Sequence, residues 1–77
     1  MKALCLQDIP VGGTASVANL LTNGSIRRRL LDMGITAGTI ATCVFESPFG
    51  DPRAYYIRGA LIALREEDAA CIQVTAG

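Results

Sequence analysis

Hydrophobic and polar side chains alternate with a period of two along residues 53–64, where Tyr55 and Ile57 would share one face of an extended chain. This period is typical of a half-buried β-strand. Gly59 interrupts the segment at a position that suits a bend or a tight turn. Ile62 continues the alternation beyond the glycine, so both halves of the segment are predicted to face one core.

Three further segments are predicted to be strands, because each carries β-branched or small apolar residues between turn signals. Residues 14–21 follow a Gly-Gly turn, residues 40–47 run up to a proline-containing loop, and Ile72 with Val74 supplies a closing strand. Strands this short and this closely spaced favour a small barrel. Such a barrel is expected to close its own edges and so to avoid exposed strand pairing.

One short α-helix is predicted between the first two long strands. Ile26, Leu30 and Met33 fall at i, i+4 and i+7 and would form a single apolar face. Ser25 is predicted to cap the amino terminus of the helix, and Gly34 is predicted to end it in a left-handed conformation. About two turns fit between these limits, so packing against the sheet has to stabilise the helix.

A single helical turn is predicted at residues 66–68, where three acids would lie at the positive end of the helix dipole. The predicted fold is therefore mainly β: a small β-barrel of about five strands with one short α-helix and a helical turn. The 77 residues are too few for a second hydrophobic core. Residues 1–77 are accordingly interpreted as one domain.

Composition narrows the classes of function. A hydrophobic fraction of 51% with 18% charged residues indicates a packed globule with apolar surface left over for recognition. The net charge of zero argues against binding to nucleic acid. Residues 1–6 are too short in their apolar stretch for a signal peptide, and no run approaches the ~20 apolar residues that cross a bilayer. We therefore predict a cytosolic protein without direct membrane insertion.

The candidate chemistry is sparse. The sequence contains no histidine, which removes the usual general base and the commonest metal ligand. The acids show no spacing that would gather metal ligands at one point. Cys5, Cys43 and Cys71 are far apart and are expected to be buried small hydrophobic side chains rather than disulfide partners. We predict no catalytic residues, no metal site and no enzymatic activity.

Three consecutive arginines, Arg27, Arg28 and Arg29, fall near the positive end of the predicted helix, with Asp32 near its negative end. The helix dipole favours the opposite arrangement, and each misplaced charge costs ~0.3 to 1 kcal/mol. An Arg28–Asp32 pair at i, i+4 would recover little of that cost. Because successive side chains point about 100° apart, only part of the run can face one ligand. A recognition site and a solvated face both remain open as interpretations.

Residues 47–52, Ser-Pro-Phe-Gly-Asp-Pro, place an aromatic side chain in a loop bounded by prolines. An exposed aromatic on a stiff loop makes a good interface anchor, because little side-chain entropy is lost on binding. The alternative is that Phe49 folds back as a lid on the barrel. The sequence leaves both arrangements open.

Taken in order, these residues resemble the FeoA family of ferrous iron transport proteins. The resemblance covers nearly the whole chain and depends on a basic helix, a Gly-x-x-x-Gly spacing, a Pro-x-Gly-Asp-Pro loop and an Ala-Leu-Arg strand end in this sequence order. The residues that carry it are Leu6, Ile9, Gly12, 27–31, 33–35, Gly38, Pro48, 50–52, Arg58, Gly59, 62–65, Ile72 and Val74.

The resemblance implies an SH3-like barrel that serves as a cytosolic accessory protein of the ferrous iron permease, a membrane protein with a GTP-binding domain on its cytosolic side. The expected partner is that permease at the cytosolic membrane face, and no nucleic acid. The residues expected to bind the partner are Arg27, Arg28, Arg29, Pro48, Phe49, Asp51 and Tyr56. The family pattern also points Ala41 and Cys43 inward and leaves Ile40, Val44 and Phe45 outside.

Two other functions remain open at this point. The first is a small metal-responsive regulatory domain; the resemblance implies no cofactor beyond a weak association with Fe²⁺. The second is an RNA-binding small barrel, in which the arginines would supply charge and Tyr56 would supply base stacking.

Overall fold

Six antiparallel strands form one sheet in the computed structural model, which describes residues 4–76. The strands are β1 (Leu4–Cys5), β2 (Thr14–Leu20), β3 (Ile40–Glu46), β4 (Arg53–Ile57), β5 (Ala60–Leu64) and β6 (Ile72–Ala76). The helices are α1 (Gly24–Asp32) and α2 (Glu66–Ala69), and a 3₁₀ turn covers Leu6–Asp8. Residues 1–3, part of the start that was interpreted as too short for a signal peptide, and residue 77 lie outside the described range.

The predicted mainly β architecture, with one short helix and a later helical turn, is confirmed. The strand order across the sheet is β1-β6-β2-β3-β4-β5. The sequence did not reveal β1, because two residues are too few to show an alternation. The expectation that the barrel closes all its edges is wrong, since β1 and β5 end the sheet and are not hydrogen-bonded to each other.

The alternating segment 53–64 folds into the β4–β5 hairpin. Arg58 has φ 51° and Gly59 has φ 84°, so both central residues of the turn are left-handed. This is the type I′ turn whose twist matches that of paired strands. Tyr55 and Ile57 are buried as predicted, and Ile62 packs against the same core from the second strand.

Helix α1 begins earlier than predicted. Asn23 occupies the N-cap position without a capping side-chain hydrogen bond, and Ser25 lies inside the first turn. The predicted apolar face is also shorter than expected: Leu30 is fully buried and Met33 packs against the core, but Ile26 is exposed. Only the carboxyl-terminal half of the helix is therefore held by packing.

The carboxyl end of α1 forms the left-handed cap that the sequence predicts. Gly34 has φ 86° and donates its N–H to the Leu31 carbonyl, while Ile35 donates to the Leu30 carbonyl at 3.1 Å. This is a Schellman motif, which normally includes an apolar contact between the bonded residues. Leu30 and Ile35 are both completely buried, so the motif joins the helix to the core.

The core lies between the curved sheet and α1. Its buried members are Leu6, Ile9, Ala15, Val17, Leu20, Leu30, Ile35, Ala41, Cys43, Tyr55, Ile57, Leu64, Ala69, Ile72 and Val74. Ala41 and Cys43 point inward as the family pattern implies. A register shift between Cys43 and Phe45 leaves both Val44 and Phe45 exposed. Burial was predicted for all three cysteines, but only Cys43 is buried and the other two are half-exposed.

Candidate partner-binding surface

Phe49 is the most exposed large apolar residue described, with 96% of its surface accessible. It lies in the Phe49 loop, by which we mean residues 47–52 between β3 and β4. The Gly50 N–H donates to the Ser47 carbonyl at 2.8 Å, and the Ser47 N–H donates to the Pro52 carbonyl at 3.1 Å. These bonds close the loop on itself and leave the aromatic ring at its tip. The lid interpretation is therefore wrong.

Asp51 connects the Phe49 loop to α2. Its Oδ1 accepts the backbone N–H of Glu66 at 2.8 Å. That N–H is one of the groups at the start of a helix that have no partner within the helix. Asp51, which we predicted to bind the partner, thus has a structural role in positioning the loop.

A buried arginine supports the base of this loop. Arg53 is only 6% exposed, and its Nη1 donates to the Gln7 carbonyl at 3.0 Å. Its Nε lies 3.6 Å from Glu46 Oε2, and its guanidinium carbon lies 5.9 Å from the centre of the Tyr55 ring. Arg53 therefore fixes the start of β4 to the 3₁₀ turn. This role of Arg53 was not predicted from the sequence, although the alternation places position 53 on the inward face with Tyr55 and Ile57.

The three arginines of α1 are in different environments. Arg29 Nη2 lies 2.8 Å from Asp68 Oδ2, and Arg27 Nη1 approaches the Leu20 carbonyl at 3.5 Å. Arg28 makes no ion pair or hydrogen bond with any residue in the range 4–76, and the i, i+4 pair with Asp32 that the sequence allows is not formed. Arg28 is therefore the member of the run whose charge is available to a partner.

The helix placement changes the electrostatic argument for these arginines. They occupy the middle of α1, and Arg29 already belongs to its last turn, where a cation is favourable. The prediction placed the arginines at the positive end of the helix dipole because it took Ser25 as the N-cap residue. The dipole therefore gives no reason to regard the run as strained.

Helix α2 brings two predicted regions together. Its Asp68 carboxylate binds Arg29 of α1, and its first N–H binds Asp51 of the Phe49 loop. These two contacts are two residues apart on α2, about 3 Å along its axis. The arginine run and the Phe49 loop are therefore each joined to the same helical turn, and we call these two regions together with α2 the loop–helix surface.

Tyr56 belongs to a different surface. It lies three residues beyond Arg53, about 10 Å along the strand, and points to the outer face of the sheet. There it is paired with Leu61 across the hairpin, and Phe45 lies beside the neighbouring Ala54–Ala63 pair. We call this apolar row of Phe45, Tyr56, Leu61 and Ala63 the outer strip.

Burial shifts two titrating groups in the core. It raises the pKa of the Cys43 thiol, against a smaller opposing effect of the Arg53 charge. It also raises the pKa of the Tyr55 hydroxyl, which Arg53 again lowers in part. Both groups therefore stay neutral at physiological pH.

Within residues 4–76, no three Cys, Asp or Glu side chains lie close enough together to hold a metal ion. No helix in this range has the length and apolar character needed to span a bilayer.

Comparison with known proteins gives a consistent result. A family model described as the FeoA domain matches residues 4–76. The chain is 36% identical over 69 residues to a Porphyromonas gingivalis protein named Fe(2+) transport protein A/Fe(2+) transporter FeoB fusion protein. That match covers 90% of this chain and 8% of the other, so the chain spans about 8% of the length of this curated relative.

Solved structures show the same similarity. An FeoA-like protein from Clostridium acetobutylicum has a TM-score of 0.90 at 30% identity, covering 99% of this chain and 88% of the other. Stenotrophomonas maltophilia FeoA, solved in complex with zinc and described as an SH3 domain protein, has a TM-score of 0.84 at 27% identity. That match covers 95% of this chain and 91% of the other. The expected SH3-like fold is thereby confirmed.

Proposed function

The chain belongs to the FeoA domain family, and we propose that it is an accessory protein of ferrous iron transport that binds the ferrous iron permease and its GTP-binding domain. The observation that carries the proposal is the fused relative, in which the FeoA part and the FeoB transporter share one chain. Fusion raises the effective concentration of one binding partner for the other.

The loop–helix surface is the proposed contact. Phe49 supplies an aromatic side chain that is almost fully exposed, and its loop is already ordered by hydrogen bonds. Binding therefore costs little additional backbone or side-chain entropy, which is the condition for an efficient anchor. Pro48 precedes Phe49 in the same turn and limits the conformations of the loop further.

Arg28 supplies the charge at the rim of this surface. It is exposed and has no ion-pair partner in the described chain, so an acidic group on the permease would not have to displace an internal carboxylate. Rim charges mainly guide association and orient the two proteins. Arg29 and Asp51, which are occupied by contacts with α2, keep Arg28 and Phe49 in a fixed relative position.

The proposed mechanism needs no chemistry from the accessory protein. By binding one conformation of the permease more tightly than another, it shifts the balance between those conformations and so alters assembly or the GTP cycle. The proposed location is the cytosolic face of the membrane, where the GTP-binding domain of the permease would be reached.

Capture experiments test this proposal. The tagged chain should capture the permease from solubilised membranes, and capture should weaken with Phe49→Ala or Arg28→Glu. Removal of an anchoring aromatic is expected to lower affinity by about 10- to 30-fold. Phe45→Ala and Arg58→Glu are the matched controls, since both residues are exposed and lie outside the loop–helix surface.

The loop–helix surface would be excluded if both variants, still folded, captured the permease as well as the unmodified chain. The function itself would be excluded if the unmodified chain captured no permease.

A second candidate function, a metal-responsive domain, is favoured by one observation, the zinc complex of the Stenotrophomonas relative. In this chain Cys5 Sγ and Asp8 Oδ2 lie 3.3 Å apart and offer two neighbouring metal-binding atoms. Two protein ligands would give weak binding, with water completing the coordination. Fe²⁺ should then broaden the NMR signals of residues 5–8 selectively; broadening spread over all the surface acids would contradict this function.

A further inference from the structure

Strand β5 forms an open edge of the sheet. It pairs with β4 on one side, and no backbone hydrogen bond joins it to any other element within residues 4–76. The opposite end of the sheet is β1, which is only two residues long. With five residues, β5 is the longer of the two edges.

The hairpin decides which backbone groups of β5 face outward. Ile57 and Ala60 flank the two-residue turn, and such a pair exchanges both of its hydrogen bonds. Bonded and non-bonded pairs then alternate along an antiparallel ladder. The N–H and C=O groups of Leu61 and Ala63 therefore point away from β4 and are available to another strand.

This edge lacks the features that normally prevent strand pairing. Its sequence, Ala-Leu-Ile-Ala-Leu, contains no charge and no proline, and its register with β4 is regular. Natural edge strands are commonly protected by lysine, proline or a bulge. Leu61 is 58% exposed, and Ala60 and Ala63 are also exposed.

We propose that β5 pairs antiparallel with β5 of a second copy of this chain, about a two-fold axis through Ile62. In this register Leu61 lies opposite Ala63 of the second copy, and these are the residues whose backbone groups point outward. Each Leu61–Ala63 pair can then form two backbone hydrogen bonds. Between these two pairs, Ile62 lies opposite Ile62 of the second copy in a pair without hydrogen bonds. This inference does not depend on the proposed function.

Charge complementarity favours a second copy as the occupant of the edge. Antiparallel pairing also brings the turn of one copy, which contains Arg58, beside the end of β5 in the other copy, where α2 begins with Glu66. Arg58 and Glu66 are both exposed, and neither forms an ion pair within residues 4–76. By the two-fold symmetry, pairing therefore brings a free Arg58 near a free Glu66 at both ends of the strand. The net charge of zero adds no long-range repulsion between copies.

The outer strip continues across this junction. Leu61 is already paired with Tyr56 on the outer face, so this row continues into Ala63 of the second copy and then into the Ala54 that pairs with it. The contact is small compared with stable dimer interfaces, so the dimer is expected to be weak and to depend on concentration.

The first test is sedimentation velocity of the purified chain over a wide range of concentrations. The unmodified chain should shift from monomer to dimer, and Ala63→Lys should remain monomeric at concentrations at which the unmodified chain is mostly dimeric. Ala18→Lys is the matched control, because Ala18 is also exposed but lies in β2, inside the sheet. It should associate as the unmodified chain does.

The second test reports the register. In a background with Cys5 and Cys71 replaced by serine, Ile62→Cys should form a disulfide-linked dimer under oxidised glutathione at least ten times faster than Ala60→Cys. The two sulfurs at position 62 meet at the axis, within the Cα separation that a disulfide needs. At position 60 the residue faces Leu64 of the other copy instead.

Three results would overturn the proposal: a monomer at every concentration, a dimer that Ala63→Lys leaves intact, or equal cross-linking at positions 60 and 62. A monomer whose β5 amides gain protection from hydrogen exchange only when permease is added would assign this edge to the permease instead.

Discussion

The Phe49 loop and the β5 edge both expose apolar side chains, but they differ in what their backbone can still bind. In the loop, backbone groups at Ser47 and Gly50 are bonded internally, and Asp51 ties the loop to α2. At the edge, the backbone groups of Leu61 and Ala63 point outward without a partner from the rest of the sheet. The first region offers chiefly its aromatic side chain, and the second also offers a regular row of main-chain groups.

This difference indicates different kinds of partner. A fixed aromatic side chain selects a partner by the shape of the pocket that receives it, which suits one specific protein. An open strand accepts any extended strand, and its specificity comes from register and side-chain matching. The loop therefore suits the proposed contact with the permease, and the β5 edge suits the proposed pairing with a second copy.

The largest expected effect comes from removing the support of the loop. Arg53→Met should lower the free energy of unfolding by about 2–3 kcal/mol, because the Gln7 carbonyl and the Glu46 carboxylate lose their cation. Urea unfolding measures this change. Arg65→Met, at an exposed position, is the control and should change stability by less than about 0.5 kcal/mol. Equal effects would show that Arg53 does not support the loop.

Alkaline pH should destabilise the core beneath both regions. The pKa values of Cys43 and Tyr55 are raised in the folded protein, so the unfolded chain loses these protons first. The stabilisation is complete below the unfolded pKa values, about 8.5 for cysteine and about 10 for tyrosine, and is lost as the pH rises towards the folded values.

Above the unfolded pKa of each group, the free energy of unfolding is expected to fall by at most about 1.4 kcal/mol per pH unit for that group. Urea unfolding from pH 7 to 11 measures it, and Cys43→Ala should remove the part that begins near pH 8.5. A stability that stays constant over this range would contradict the burial of these groups.

A smaller effect is expected at the contact between the loop and α2. Asp51→Ala should cost about 1 kcal/mol, because the Glu66 N–H loses the carboxylate that caps it. Asp32→Ala is the control, since Asp32 lies at the unfavourable end of α1 and should be neutral or slightly stabilising. Thermal unfolding distinguishes the two. A neutral Asp51→Ala would mean that the loop does not depend on α2.

The smallest effect on stability is expected at Phe49 itself. Phe49→Ala removes a side chain that is almost entirely in solvent, so the free energy of unfolding should change by less than about 0.5 kcal/mol. Chemical denaturation measures this, with Tyr55→Ala as the destabilising counterpart in the core. A large loss in Phe49→Ala would show that the ring packs against the barrel after all.

Much of the fold follows from local patterns in the sequence. The period-two alternation located β4 and β5, and Gly34 marked the end of α1 because only a left-handed residue completes its Schellman motif. Strand β1 and the open edge could not be predicted in this way. Both depend on which distant strands pair, and no local period reports that.

The candidate site was predictable in composition but not in arrangement. The sequence identified Phe49 and the arginine run, yet the separate environments of Arg28 and Arg29 depend on Asp68, which lies far along the chain. The role of Asp51 likewise depends on where α2 begins. Long-range contacts of this kind decide which of several charged residues stays free for a partner.

Site-specific photo-cross-linking tests the central claim most directly. With benzoylphenylalanine in place of Phe49, irradiation of cells that contain the permease should yield a product with the combined mass of the chain and the permease. The same group in place of Leu61 should yield a product of twice the mass of the chain. A permease adduct from position 61 and none from position 49 would contradict the assignment of the two regions.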